Sequence, residues 1–278
     1  MHINIKSKKN PFDLSRAVTS KVEDGNIRAA VRLLCSEDKP ADCTDVVLAA
    51  LRAKHPPAPM VKEAIPEPAS FNSVRVTEAD VLKAIKSFPA GSSGGPDGLR
   101  PQHLSELVAC QSMGANLLSS VTRFVNLVLD GKCPPDVRPV FFGARLLALE
   151  KKGGGYRPIA IGYTFRRLVA KCANSFALRK LANYFCPIQV GVAASGGCEA
   201  AIHATRRFLQ DMPNDEAIVK IDFANAFNTI RRDAVLNAVA TNLPEVYPFC
   251  HSVYGNPSLL QFGSTSIESQ KEFNKETR

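Results

Sequence analysis

One aspartate in the last quarter of the chain stands where a carboxylate could bind a divalent metal ion. Asp222 follows the apolar run Ala217–Ile221, which predicts a short buried strand that gives way to a turn. Phe227 comes five residues after Asp222, close enough to lie flat against a sugar bound beside that metal. A single aspartate at a strand end is nevertheless more often a turn or capping residue, and a phenylalanine at this spacing also suits core packing.

A glycine hairpin upstream carries two basic residues suited to binding phosphate. Lys151 and Arg157 flank the run Gly153–Gly155, and the segments Ala144–Leu149 and Arg157–Ile161 predict two strands joined at that run. Both side chains can therefore project to one side and bind a triphosphate, the arginine as a planar fork and the lysine as a point charge. A P-loop is excluded, because no glycine run is followed by Lys-Ser or Lys-Thr.

Positive charge is concentrated around this hairpin. The chain has a formal net charge of +9. Between Arg138 and Lys180 ten basic residues face one acid, Glu150. A solvated helix face is the usual explanation of a basic run, but concentration beside a glycine-rich loop favours a polyanion. Nucleic acid and nucleotide phosphates are the partners that this charge favours.

The first third of the chain predicts short helices and an extended linker. The segment Ser15–His55 reads as two or three amphipathic helices, with Thr44 as an N-cap. Five prolines in residues 56–68 then favour a stiff, extended linker. Thr77 begins another helix, and Asp80 three residues later favours a capping box.

Three further helices follow from apolar periodicity and from a predicted cap residue. Apolar positions predict helices at Asn116–Leu129 and Arg232–Leu243, and Thr164 is predicted to cap a long helix. The polar segment Gly263–Arg278 is predicted to fray.

Composition bounds the class of protein. With 278 residues and 45% hydrophobic residues, the chain can bury a substantial core. The eight cysteines include no Cys-x-x-Cys pair and no histidine at finger spacing, which argues against a zinc finger and favours reduced thiols. No apolar run approaches the roughly 18 residues of a membrane span, and no signal peptide is evident. We therefore expect no membrane partner and an intracellular protein, in the cytoplasm or the nucleus.

Four motifs in order resemble those of a known polymerase family. The chain contains "PDG" at Pro96–Gly98, "RPIA" at Arg157–Ala160, "QVGV" at Gln189–Val192 and "DFANAFN" at Asp222–Asn228. Their order and spacing over roughly 130 residues resemble the reverse transcriptases of non-LTR (LINE-type) retrotransposons. Each motif alone is unspecific, whereas four in register rarely arise by chance.

The resemblance implies roles for ten residues. Asp222 would be the catalytic and metal-binding carboxylate, with the carbonyl of Phe223 as a further ligand to Mg²⁺ or Mn²⁺. Phe227 would be the gate that excludes a 2′-hydroxyl, and small Ala226 would leave room beneath the sugar. The remaining six fall into two groups, a nucleotide site and a template site: Lys151, Arg157 and Gln189 would bind the nucleotide, while Asp97, Arg100 and Arg166 would lie near the template.

The implied fold is α+β, with right-hand polymerase fingers, a partial palm and a helical N-terminal extension. The corresponding expected boundaries are 1–57 for the extension, 58–75 for a proline-rich linker, 76–206 for the fingers and 207–278 for a partial palm with a polar tail. The motifs stop before the Gly-Asp-Pro loop and the Asp-Asp hairpin of the family. We therefore expect a fragment that cannot polymerise alone, since two metals need more than one carboxylate.

The expected partners are an RNA template, a DNA primer and deoxynucleoside triphosphates. An exposed edge at the predicted strand Ala217–Ile221 would also favour self-association. Two alternatives remain open: a non-catalytic nucleic-acid-binding remnant, and an unrelated basic α+β domain.

Overall fold

Helices and a small sheet make up the described part of the chain. The computed structural model describes residues 14–23, 25–35, 39–151, 153–213, 215–223 and 225–271. Its helices are α1 (Leu14–Glu23), α2 (Ile27–Cys35), α3 (Asp45–Lys54), α4 (Glu78–Lys86), α5 (Pro101–Ala109), α6 (Gly114–Leu129), α7 (Arg138–Phe141), α8 (Thr164–Phe185), α9 (Gly197–Gln210), α10 (Ala226–Thr229), α11 (Arg232–Asn242) and α12 (Tyr247–Tyr254). Its strands are β1 (Ala144–Glu150), β2 (Tyr156–Gly162), β3 (Ser258–Phe262) and β4 (Thr265–Ser269). No helix in these ranges is long and apolar enough to cross a bilayer.

A helical core forms where α4, α5, α6, α8 and α12 pack together. Val81, Val125 and Leu168 are fully buried in it. The predicted capping box is confirmed: Thr77 accepts a hydrogen bond from the Asp80 N–H, and the Asp80 carboxylate accepts one from the Thr77 N–H. The box satisfies donors that the first turn of α4 would otherwise leave without partners.

The start of α8 differs from the prediction. The N-cap residue is Tyr163, and Thr164 is the first helical residue. The predicted capping role of Thr164 is therefore wrong, because its hydroxyl donates instead to the Leu99 carbonyl 2.5 Å away. A long-range contact has replaced the local cap that the sequence favoured.

The four strands form one sheet in the order β2-β1-β3-β4. The predicted hairpin is confirmed: β1 and β2 pair antiparallel from Ala144↔Gly162 to Glu150↔Tyr156. β3 pairs with the beginning of β1 in parallel, and β4 pairs with β3 antiparallel. The sheet thus joins strands from residues 144–162 to strands from residues 258–269.

The segment before α3 completes the second edge of β1. The Ala41 N–H donates to the Ala148 carbonyl, and the Glu150 N–H donates to the Lys39 carbonyl, both at 2.9 Å. Helix α3 then lies on one face of the sheet. It begins at the predicted N-cap, Thr44, whose side chain accepts from the Val47 N–H. This sheet core is formed by nine buried residues: Val47, Leu51, Ala144, Leu146, Ala148, Ala160, Leu260, Phe262 and Ile267.

Residues 58–75, here called the strap, run across α11 and α12 without regular structure except for one 3₁₀ turn at Pro68–Ser70. The Ala58 N–H donates to the Gln270 side chain, and the Glu63 N–H donates to the Asp233 carboxylate at 2.7 Å. Farther along, the Tyr247 hydroxyl donates to the Pro66 carbonyl. The strap is therefore hydrogen-bonded to the C-terminal part of the chain at several points.

Two predicted features of the C-terminal part are wrong. Ala217–Ile221 is neither a strand nor buried, and Val219 is 78% exposed. Extended backbone needs a neighbouring strand for its hydrogen bonds, and none of the described strands pairs with this segment. The expected self-association edge is thus absent as a strand. The segment predicted to fray instead contains β4, while residues 272–278 lie outside the described ranges.

Candidate nucleotide and nucleic-acid interface

The β1–β2 hairpin has one face, here called the open face, that combines arginine with aliphatic side chains and is exposed or half-buried except at Ile161. Alternation along β1 places Arg145, Leu147 and Leu149 on the side opposite the sheet core. On β2, Arg157 pairs with Leu149 and Ile159 pairs with Leu147. The open face therefore carries a positive charge at each end of an aliphatic strip, which suits a ligand with both phosphates and flat rings.

Lys151 stands at the tip of the same face. It directly follows β1, and its N–H donates to the Gly155 carbonyl at 3.0 Å while its carbonyl accepts from the Gly154 N–H. Continued alternation from Leu149 directs the Lys151 side chain to the side of Arg157. Both side chains are exposed. The hairpin register thus brings the two predicted phosphate ligands to one end of one face, although their binding role stays a prediction.

The glycine loop Gly91–Gly98 packs tightly against the base of this hairpin. A Cβ on Gly95 would lie 2.7 Å from the Tyr163 Cα and 2.8 Å from the Gly162 carbonyl oxygen. A Cβ on Gly94 would lie 2.7 Å from the Gly98 backbone. Because real Cβ atoms do not approach backbone so closely, only glycine fits at both positions.

Two buried side chains of α8 bind this loop. Arg167 donates to the Ser93 carbonyl at 2.6 Å, and Thr164 holds the Leu99 carbonyl. Arg167 also lies over the Phe88 ring, with its guanidinium carbon 5.5 Å from the ring centroid. The loop is therefore fixed by its neighbours as well as by its own turn residues. The sequence did not predict these roles of Thr164 and Arg167, because nothing local indicates such long-range hydrogen bonds.

Two predicted template residues, Asp97 on this loop and Arg100 just after it, are exposed. The Asp97 carboxylate accepts from the Leu99 N–H at 3.1 Å, an ordinary turn contact. Arg100 directly precedes α5, and its side chain faces solvent. Both side chains are therefore accessible to a nucleic acid strand. Their role near the template stays a prediction.

Arg166, which the resemblance places near the template, is buried. Arg166 is 4% exposed, and its guanidinium donates to the Gly143 carbonyl at 3.3 Å. A template strand finds almost no surface of Arg166 in this conformation. The side chain instead ties α8 to the turn before β1, because an α-helix directs two adjacent residues, here Arg166 and Arg167, to different neighbours.

Gln189 occupies an exposed turn after α8. Its side-chain oxygen accepts from the Gly191 N–H at 2.8 Å. This contact closes the turn that leads towards α9 and leaves the amide nitrogen available to a ligand. Helix α9 buries only Gly197, so nearly all of the segment 189–210 is exposed to solvent.

The Asp222 motif forms an exposed loop. Asp222 is exposed, as are Phe223 (74%) and Phe227 (53%), so Phe227 is not a core residue. Ala226 is half-buried at the start of α10. Ala224 lies outside the described residues.

Two asparagines anchor this loop to α3. The Asn225 amide donates to the Lys54 carbonyl at 3.0 Å, and the Asn228 amide donates to the same oxygen at 3.1 Å. Lys54 is the last residue of α3, where carbonyl groups lack partners within the helix. The sequence motif contains these asparagines, but their distant acceptor could not be read from it.

The described residues do not fit a two-metal site. They include no group of three or more histidine, cysteine, aspartate or glutamate side chains that could hold a metal ion. Asp222 and the Phe223 carbonyl therefore offer too few oxygen ligands for the Mg²⁺ pair that the resemblance implies.

Comparison with known proteins supports a retroelement origin. Over 167 residues, 60% of this chain, the sequence is 28% identical to a protein of Trypanosoma brucei gambiense, the "Retrotransposable element SLACS 132 kDa protein". The match covers 13% of that protein, so the chain spans a small part of this relative's length. No family model matches the chain. The similarity supports a relationship to non-LTR retrotransposon proteins.

Proposed function

We propose that this chain is part of the RNA-directed DNA polymerase of a non-LTR retrotransposon, and that its hairpin face binds nucleic acid and nucleotide phosphates. The observation that carries the proposal is the β1–β2 register. It pairs Leu149 with Arg157 and leaves Lys151 at the same end of the open face. A fork-shaped and a point-like cation side by side suit a polyphosphate.

The charge of the sequence and its similarity to a retrotransposon protein also support this proposal. Along the sequence, nine positive charges in excess lie between Arg138 and Lys180, and three of the cations, Arg145, Lys151 and Arg157, are exposed on the hairpin. The similarity to the SLACS protein agrees with a retroelement origin. The rigid glycine loop beside the hairpin base presents Asp97 and Arg100, which we assign to the template.

A second candidate is nucleic-acid binding without catalysis. It is favoured by the exposed Asp222 loop, which no other carboxylate joins in a metal-binding group within the described ranges. Under the first candidate, polymerisation with Mg²⁺ requires further carboxylates close to Asp222. Both candidates share the binding step, so that step is tested first.

Binding is tested with a salt series. A single-stranded RNA and a primer-template duplex are titrated into the purified chain at increasing potassium chloride. Each phosphate contact contributes a slope of about 0.7 to 0.9 in log K against log salt. Arg157→Ala should lower the slope by about one contact, whereas Arg123→Ala, an exposed arginine on α6, should leave it unchanged. An affinity that ignores salt would rule out both candidates.

Primer extension separates the two candidates. The chain is extended by the corresponding palm segment of a relative and supplied with RNA template, primer and Mg²⁺ or Mn²⁺. Under the polymerase proposal Phe227→Ala admits ribonucleotides, while Phe208→Ala on α9 does not change sugar selection. Binding without any extension by the enlarged chain would favour the non-catalytic candidate.

A further inference from the structure

A cavity of about 400 Å³ opens at the C-terminal end of α6, on a different set of elements from the hairpin face. It is bounded by the strap, by the turn that follows α6, by Arg138 of α7 and by α12. Phe71 and Pro248 contribute apolar wall, and the Phe71 ring packs on Tyr247 with centroids 4.4 Å apart. The volume lies within the range of small-ligand sites.

Positive groups outnumber negative ones in the cavity wall. Arg75, Lys132 and Arg138 line it, against the single carboxylate of Asp130. Two further acids, Glu67 and Asp136, are near but lie outside the wall. An anion in the cavity would therefore contact a wall with three cations and a single carboxylate, that of Asp130.

Asp130 holds two of these cations in place. Its carboxylate accepts from Arg75 at 2.9 Å and from Lys132 at 3.2 Å, and also from the Ser73 hydroxyl. Burial raises the pKa of Asp130, but the Ser73 hydroxyl, Lys132 and Arg75 outweigh it and hold that pKa below its ordinary value. The Asp130 side chain is only 8% exposed, whereas that of Lys132 is 67% exposed. Arg75 and Lys132 thus retain exposed N–H donors that can bind a ligand in the cavity.

Arg138 is fixed from the other side by neutral groups. Its Nε donates to the Cys133 carbonyl at 2.7 Å, and one terminal nitrogen donates to the Gly131 carbonyl at 3.2 Å. The Ser252 hydroxyl shares the Gly131 carbonyl. These bonds orient the guanidinium and leave its charge without a carboxylate partner among the described residues.

His251 reports on the charge of this cavity. Burial, helped by the neighbouring Arg138, lowers the pKa of His251, although Glu67 acts in the opposite direction. A negative ligand beside the imidazole would favour its charged form and raise this pKa. The ring is therefore a built-in spectroscopic probe.

We propose that this cavity binds a phosphate group, held by Arg75, Lys132 and Arg138. Charge-assisted hydrogen bonds from pre-oriented cations are the common means of phosphate recognition. The phosphate belongs to a free phosphomonoester or to a nucleic acid strand. The proposal does not rest on the function proposed for the hairpin face, because it involves different residues and needs no catalysis.

The test titrates inorganic phosphate into the whole chain at constant ionic strength, while NMR follows the His251 imidazole, assigned with His251→Asn. We expect a saturable shift and a higher His251 pKa. Lys132→Ala should weaken phosphate binding by about tenfold. Asp130→Asn should tighten it, which a purely structural role of Asp130 does not predict. Lys86→Ala, an exposed lysine on α4, serves as the matched control and should change nothing.

A shift that does not saturate, or one that Lys132→Ala and Asp130→Asn leave unchanged, would mean that the cations only neutralise Asp130 and the end of α6. That result would overturn the proposal. The source of the phosphate follows from a second arm with single-stranded RNA. If Lys132→Ala lowers the salt slope of RNA binding by about one contact, the strand is the occupant. If phosphate binding is lost while the slope is kept, a free phosphomonoester is the ligand.

Discussion

The Lys54 carbonyl accepts two asparagine amides, and through them it fixes the position of the Asp222 loop. Asn225 has φ of 54°, a left-handed conformation that asparagine tolerates better than most residues. Asn228 lies one helical turn later and reaches the same oxygen. Because Asp222, Phe223 and Phe227 are exposed, these two bonds contribute to holding the loop in place.

Loss of one anchor should free the loop. In Asn228→Ala, amide hydrogen exchange in residues 217–230 should accelerate by about fivefold, since one net hydrogen bond is worth about 1 kcal/mol. Asn225→Gly keeps the left-handed backbone accessible and should show a similar effect through the lost amide alone. Asn242→Ala is the control, because its amide donates to the Ala238 carbonyl of its own helix and the residue lies outside the loop. Unchanged exchange in both loop variants would show that the loop is held by other contacts.

Sequence reasoning located single residues well where their geometry is local. Lys151 and Arg157 lie within one hairpin, so spacing and strand alternation were enough to place them together. Arg166 and Arg167 look from the sequence like surface cations near a basic run. Both are buried, because carbonyls at Gly143 and Ser93, far along the chain, accept from them. A charge count cannot anticipate such partners.

At the scale of single elements, caps and turns decided what could be predicted. The α4 capping box was predictable because its residues are three apart. The β3–β4 hairpin was missed, although two alternating runs flank Gly263 and Ser264. Gly263 adopts φ of 60°, as a tight hairpin turn requires. The polar residues of β4 hid its alternation, in which Ile267 and Ser269 face inward.

The capping box makes α4 sensitive to acid. Hydrogen bonds from Thr77, from its backbone and then from its side chain, lower the pKa of Asp80 below its ordinary value. A carboxylate with a lowered pKa stabilises the fold fully above the unfolded value, and this contribution is lost as pH falls through the folded value. Thr77→Ala should reduce the free energy of unfolding by about 1 kcal/mol at neutral pH, and by less below about pH 4.

Urea titrations at neutral and acid pH measure this difference. Thr205→Ala on α9 is the matched control, because its hydroxyl donates only to the Ala201 carbonyl of its own helix and its removal should matter little. A Thr77→Ala penalty that stays constant from neutral to acid pH would show that the Asp80 carboxylate does not act through the box.

At the scale of the whole molecule, two cores are tied together by segments that look peripheral in the sequence. The helical core and the sheet core meet where β1 follows α7. Within the strap, residues 58–66 form hydrogen bonds with α11, α12 and Gln270. Residues 39–41 pair with β1. Composition identified a helical N-terminal part and a proline-rich linker. It could not show that both lie against distant elements, because those contacts span most of the chain.

The sheet core makes the sharpest test of this arrangement. Leu51 of α3 is 0% exposed and packs in the sheet core with Leu146 and Leu260, whereas Val46 on the same helix is 72% exposed. Leu51→Ala should lower the free energy of unfolding by about 2 to 5 kcal/mol, through lost burial and the cavity left behind. Val46→Ala should change it by less than about 0.5 kcal/mol.

Hydrogen exchange then shows how far the damage spreads. If α3 and the sheet form one cooperative unit, Leu51→Ala should accelerate exchange in β1 and β2 as well as in α3, because the strands lose the helix that covers their apolar face. Since Lys151 and Arg157 lie at the far end of that hairpin, the variant should also bind RNA more weakly than Val46→Ala does. Faster exchange confined to α3, with RNA binding intact, would instead identify the N-terminal segment as an extension that folds independently of the interface.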